Sequence, residues 1–258
     1  MCLKNYICLV LMISVSLSAA FCNNPDEIEY GESKITALDS KDGSDRWKGK
    51  VSREYIDVVA LRNGANEVVL YGRDPCFKDD FYLSINVETG EYIETLKPEE
   101  VDTGMENPCL NMDLNGLTDV VYLQNICVGF DAAQNKWAAF QTDTGEELWR
   151  CSIVTDKLYA AGPYLVALLN KESVHSISRV DLHSGDLKWT YTQKEKMSLA
   201  GGDKNIIAAY DTNAFAMQAE DGKKIWRSED RVHSAKMLGN TIYAFWQYWP
   251  STCTQPLN

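Results

Sequence analysis

The side chains best spaced for chemistry in this chain are Asn111, Asp113, Asn115 and Asp119, at relative positions 1, 3, 5 and 9 around Gly116. Alternate oxygens in a glycine-bearing loop converge on one point, and a hard cation such as calcium prefers several oxygens there. Only two of the four are carboxylates, so the expected site is weak, and a plain Asn-Gly turn is the competing reading. The related segment 60–72 has Leu61 and Ala65 where oxygens would be needed and is expected to bind nothing.

Cysteine is the other reactive type. An N-terminal stretch with Lys4, an apolar run from about Tyr6 to Leu17 and the small-residue site Ser18-Ala19-Ala20 reads as a secretory signal peptide, with an uncleaved signal anchor as the alternative. Cleavage after Ala20 would leave Cys22, Cys76, Cys109, Cys127, Cys151 and Cys253 in an oxidising compartment. An even number without a CxxC pair favours disulfides over a metal site or a catalytic thiol. Cys76 and Cys109, each preceded by proline in a turn-like segment, are the first pair expected, and Cys22 with Cys253 would join the two ends. His175, His183 and His233 have no spacing that implies joint coordination, and no nucleophile elbow, zincin helix or phosphate loop is present. The run Phe245-Trp246-Gln247-Tyr248-Trp249 is either a ligand platform or core.

The formal charge is −12 with no basic run in the sequence, which argues against nucleic acid as a partner.

The elements that must position these residues are legible as a repeat. The segments 37–47, 84–94, 139–149, 178–189 and 216–226 align on Gly43, Gly90, Gly145, Gly185 and Gly222. A period near forty with one hairpin per unit is the signature of a propeller blade. The position before each glycine is Asp, Thr or Ser, whose short side chain can hydrogen-bond the turn backbone, while glycine accepts the positive φ that closes it. Four residues after the glycine stands Trp47, Trp149, Trp189 or Trp226, expected between neighbouring sheets. The second unit has Glu94 there, so its contact is expected to be weaker or supplied by Tyr92.

This pattern resembles the repeat of the pyrroloquinoline-quinone-like propellers, which include quinoprotein alcohol dehydrogenases, bacterial outer-membrane assembly lipoproteins and the lumenal domains of endoplasmic-reticulum stress kinases. The resemblance implies an all-β fold of four-stranded antiparallel blades. Five complete blades result if the first hairpin pairs with strands near 234–248; otherwise the chain is a piece of a seven- or eight-bladed wheel. A quinone-dependent dehydrogenase would need adjacent cysteines and a calcium-bound catalytic aspartate, and this chain has no adjacent cysteines.

A second internal likeness aligns Asn63-Gly64 with Asn115-Gly116 and Val68-Val69 with Val120-Val121. Together with the candidate calcium loop it resembles the FG-GAP openings of integrin-α-like ectodomains. The expected organisation is a signal peptide over 1–20, a linker over 21–33, a propeller over 34–250 and a tail over 251–258. The function implied is that of a noncatalytic secreted or lumenal scaffold, periplasmic if bacterial, that presents its rim or mouth to a protein or glycan. The rival readings are a quinoprotein oxidoreductase, a bacterial envelope assembly scaffold and a fragment of a lumenal sensor.

Overall fold

In the computed structural model, residues 33–51, 55–62, 66–73, 80–101 and 116–247 are described. They contain no α-helix and form five four-stranded antiparallel sheets. Blade 1 comprises β3 (Tyr55–Arg62), β4 (Glu67–Arg73), β5 (Asp80–Asn86) and β6 (Tyr92–Leu96). Blade 2 holds β7 (Leu117–Leu123), β8 (Ile126–Asp131), β9 (Lys136–Gln141) and β10 (Glu147–Cys151). Blade 3 holds β11 (Lys157–Ala161), β12 (Tyr164–Lys171), β13 (Val174–Val180) and β14 (Leu187–Gln193). Blade 4 holds β15 (Ser198–Gly202), β16 (Ile206–Tyr210), β17 (Asn213–Gln218) and β18 (Lys224–Arg231).

Blade 5 is shared by both ends of the described chain. Its strands run β19 (Ser234–Leu238), β20 (Thr241–Gln247), β1 (Ser33–Asp39) and β2 (Asp45–Val51). β20 pairs antiparallel with β1 along its whole length, from Ser33 opposite Gln247 to Asp39 opposite Thr241. The first hairpin and the last strand pair therefore complete one blade, as the closed arrangement requires, and cover two strand edges that would otherwise be bare.

Each glycine hairpin joins the third and fourth strands of a blade, and all five are built alike. The glycine N–H donates to the carbonyl four residues earlier, at 2.8 to 2.9 Å. The side chain before the glycine accepts from the amide after it: Asp42 from Ser44, Thr89 from Glu91, Thr144 from Glu146, Ser184 from Asp186 and Asp221 from Lys223. Each glycine has φ between 70° and 76°. Beyond the turn, the register of every blade slips by one residue, so that Arg46, Ile93, Leu148, Lys188 and Ile225 are each left without an opposite partner. This bulge re-aims the next residue, which is the repeated tryptophan or Glu94.

Asp181 shows how tightly a turn can be tied. Lys188, the bulge residue, bonds its carboxylate at 3.0 Å, and the amides of His183 and Ser184 donate to it. His183 is thus a residue of the turn. The Lys188 ammonium, and then these amides, outweigh partial burial and pull the Asp181 pKa from 3.8 to about 2. A depressed carboxylate pKa contributes stability above its unfolded value and loses it as pH falls through the folded one. Wild type is therefore expected to lose about 1 kcal/mol from this group between about pH 4 and pH 2, a modest figure because both partners are partly solvated. Urea midpoints of wild type and Asp181→Asn should differ near pH 5 and converge near pH 2.

The core lies between blades. Separate clusters of buried side chains fill the seams between blades 2 and 3, 3 and 4, 4 and 5, and 5 and 1. The first strands of the blades adjoin in the order β7, β11, β15, β19 and β3. Among the described residues no buried cluster spans blades 1 and 2; Val69 and Leu96 of blade 1 pack with Tyr82 and Val101 of the same unit.

The second internal likeness in the sequence is not a structural repeat. Val68 and Val69 lie on the second strand of blade 1, whereas Val120 and Val121 lie on the first strand of blade 2. β-branched pairs suit any half-buried strand, so their recurrence alone does not fix a position in the blade.

Candidate functional site: the blade seams and the wedge between blades 4 and 5

Four indoles clamp four seams in the same way. Each tryptophan lies flat on the hairpin glycine of the next blade and donates its Nε1–H to the carbonyl three residues before that glycine. Trp47 donates to Val87 O at 2.6 Å and covers Gly90; Trp149 donates to Leu182 O at 2.8 Å and covers Gly185. Trp189 donates to Ala219 O at 3.0 Å and covers Gly222, and Trp226 donates to Ser40 O at 2.9 Å and covers Gly43. The contact is so close that a Cβ on any of these glycines would fall 2.5 to 2.9 Å from ring carbons. Gly145, with a similar φ of 70°, has nothing among the described residues within 4 Å of that position and is exposed. The residue that would cover it is Glu94, which pairs with Ser84 in the register where the tryptophans pair with Ala37, Ala139, Arg179 and Ala216. Tyr92 does not substitute: it is 62 % exposed.

Between blades 4 and 5 the seam widens towards the rim into a wedge of about 910 Å³. Its apolar floor is Ile35, Leu38, Val232 and Ala244. Five cations reach it: Lys34, Lys48 and Lys50 from blade 5, and Arg227 and Arg231 from blade 4, against Asp45, Glu229 and Asp230. Some of these charges serve the scaffold. Lys48 bridges Asp45 at 3.0 Å and Asp230 at 2.8 Å, across the seam. Arg227 donates to both carboxylate oxygens of Asp211, at 2.8 and 2.7 Å. Burial alone would raise the Asp211 pKa, but donation from Arg227, Gln193 and the Asn213 amide outweighs it and the net shift is downward. Lys34 instead stands 4.8 Å from the centre of the Trp246 ring, and among the described residues no carboxylate pairs with Arg231. Trp246 and Arg231 continue into an adjoining hollow beside His233.

Residues 125–245 match the family model of the outer membrane protein assembly factor BamB. Five bulged hairpins, four of them clamped by an indole, agree with that match. The chain is a β-propeller whose residues 125–245 carry the pyrroloquinoline-quinone-like repeat of that family model. The matched residues of this propeller run from β8 nearly to the end of β20, so they contain blades 3 and 4 whole and leave blade 1 outside. Among solved structures the propeller is similar to BamB from Moraxella catarrhalis, at 14 % identity and a TM-score of 0.37 over 83 % of this chain and 67 % of that one. The WD40 propeller domain of Doa1 is similar at 12 % identity and a TM-score of 0.33, over 84 % and 90 % of the two chains. KlAtg21, in complex with the coiled-coil of AgAtg16, is similar at 10 % identity and a TM-score of 0.31, over 83 % and 69 %. No curated protein matches.

The residues singled out from the sequence are distributed over this propeller as follows. Asn111, Asp113 and Asn115 lie outside the described residues; Asp119 is exposed on β7 with φ 52°. Cys22, Cys76, Cys109 and Cys253, and residues 1–32, also lie outside. Cys127 is fully buried on β8 and disulfide-bonded. Cys151 carries a free thiol and leaves the disulfide set. Its Sγ is seated against Gly185 in the seam between blades 2 and 3, 3.7 Å from the glycine carbonyl, where burial and then the Asp186 charge push its pKa up. The aromatic run divides: Phe245 is core at 1 % exposure, Trp246 lines the wedge, and 248–249 lie outside.

The wedge cations escape linear reading because they come from strands almost two hundred residues apart. Their signal is alternation: Lys48 and Lys50 share one face of β2, and Arg227 and Arg231 share one face of β18.

Proposed function

We propose that this propeller is a noncatalytic scaffold, secreted or periplasmic, that holds an acidic segment of a protein partner in the wedge between blades 4 and 5. The observation that carries the reading is the setting of Lys34, Trp246 and Arg231: two cations without carboxylate partners flank a half-buried indole over an apolar floor. A carboxylate side chain can meet the cations while its neighbour packs on the ring, as partner residues do at interfaces rich in arginine and aromatics. The matched family is described as an assembly factor, a role consistent with a scaffold. Rigid blades with loops on one face suit recognition. The signal-like N-terminus supports export.

A glutamate-rich decapeptide is the probe. Its binding should weaken with added salt, and Lys34→Glu with Arg231→Glu should weaken it by at least about tenfold, since truncating a desolvated charge contact typically costs that much or more. Unaltered affinity in the double variant would reject the wedge as the site. A heparin oligosaccharide that binds there more tightly than the peptide would reassign it to an anionic glycan.

A further inference from the structure

We infer that the uncovered hairpin of blade 2 is a receptor for a tryptophan supplied by another polypeptide. The inference rests on equivalence between five turns. All five share the same glycine φ, the same amide bonds and the same bulge, and four carry an indole on the glycine with its N–H on the carbonyl three residues back. The fifth has the shape without the occupant: Gly145 is bare, and the carbonyl in the matching position is that of Thr142. Its four siblings therefore define the complementary group as a flat aromatic with one N–H donor.

The six described indoles of the chain are committed elsewhere. Trp47, Trp149, Trp189 and Trp226 make the clamps, Trp137 is buried in the core of blade 2, and Trp246 stands over Lys34 in blade 5. Trp249 lies outside the described residues.

Charge describes the flanks of the incoming segment. Around Gly145 stand Asp143, Glu146 and Glu147, and the blade 1 hairpin carries Glu88, Glu91 and Glu94. Arg150 of blade 2 is already engaged by Glu147 and Asp131, and Arg62 of blade 1 by Glu94 and Glu67. A tryptophan between basic residues complements this surface, whereas one between acidic residues is repelled. The Gly145 turn thus repeats the receptor used at the four clamped seams, and its partner is a basic segment bearing a tryptophan.

The experiment titrates the ¹⁵N-labelled chain with the blocked peptide Lys-Trp-Lys. Amide shifts should centre on Thr142 to Glu146 and saturate in the millimolar range. Lys-Ala-Lys and Glu-Trp-Glu should each bind at least about tenfold more weakly, the usual loss on truncating an aromatic anchor or reversing its flanking charge. Glu94→Trp places an indole on the residue that in four blades supplies the clamp, so it should abolish the peptide shifts and raise the thermal midpoint. Its well-dispersed spectrum would show that folding is intact. Shifts centred elsewhere, equal binding of Lys-Ala-Lys, no shifts at all, or an unaltered response in Glu94→Trp would each overturn the inference. Concentration-dependent movement of the Gly145 amide, with a dimer in sedimentation, would overturn it in favour of a second copy.

Discussion

Trp149→Ala should lower stability by about 3–5 kcal/mol, a loss that among the clamp residues only the equally buried Trp47 should match. The indole is 8 % exposed and sits in a cluster with Leu158, Leu165, Val180 and Leu182 of the next blade. Truncation to a methyl leaves a cavity that two rigid sheets cannot close, and large-to-small changes of this kind cost about that much. It also removes the donor to Leu182 O and the lid over Gly185. Trp189 makes the same hydrogen bond but is half-buried, so Trp189→Ala should cost less. Glu94→Ala, at a site that covers no turn, should shift the urea midpoint little. Equal midpoints for the three variants would show that the seams are not where the stability resides.

Gly222→Ala should cost about 2–5 kcal/mol, and Gly145→Ala only about 1–2 kcal/mol, although both replace a glycine with positive φ in equivalent hairpins. Holding the left-handed region strains any residue with a Cβ, and that part, about 1–2 kcal/mol, is common to both. What differs is the space. At Gly222 the new methyl would lie 2.6 Å from the Trp189 ring, and overpacking of a filled seam adds about 1–3 kcal/mol more. At Gly145 there is nothing to displace. Chemical denaturation of the pair reads the difference directly; indistinguishable midpoints would mean that the indoles yield freely and clamp nothing.

The blades were legible because their turns are built from local chemistry. Glycine, the acceptor before it and the tryptophan after the bulge recur at fixed offsets, and short-range hydrogen bonds need no distant partner to be recognised. The exceptional seam was visible as well, since Glu94 replaces an indole. The destination of each indole was not, because a tryptophan acts on the turn of the following blade and the offset between blades varies. Tyr92 looked a plausible substitute from its neighbourhood in sequence, but its position before the bulge leaves it pointing to solvent. The wedge was hidden for a different reason. Lys34, Lys48 and Lys50 meet Arg227 and Arg231 only through packing of blade 4 against blade 5, and no window along the chain contains both groups.

The shared fifth blade has a consequence for the order in which the protein can be made. β1 bonds to β2 at once, but its other edge waits for β20, and roughly 180 residues separate the end of β2 at Val51 from the start of β19 at Ser234. At about 5–20 residues per second, translation leaves that hairpin unfinished for about 10–40 s. Throughout this interval the nascent chain displays a hydrogen-bonding edge and the apolar faces of Ile35 and Ala37, a template for pairing with a neighbouring chain. The burden on chaperones should therefore fall at the N-terminal hairpin, and a circular permutant opened between blades 4 and 5, which makes all four strands of blade 5 contiguous, should escape it.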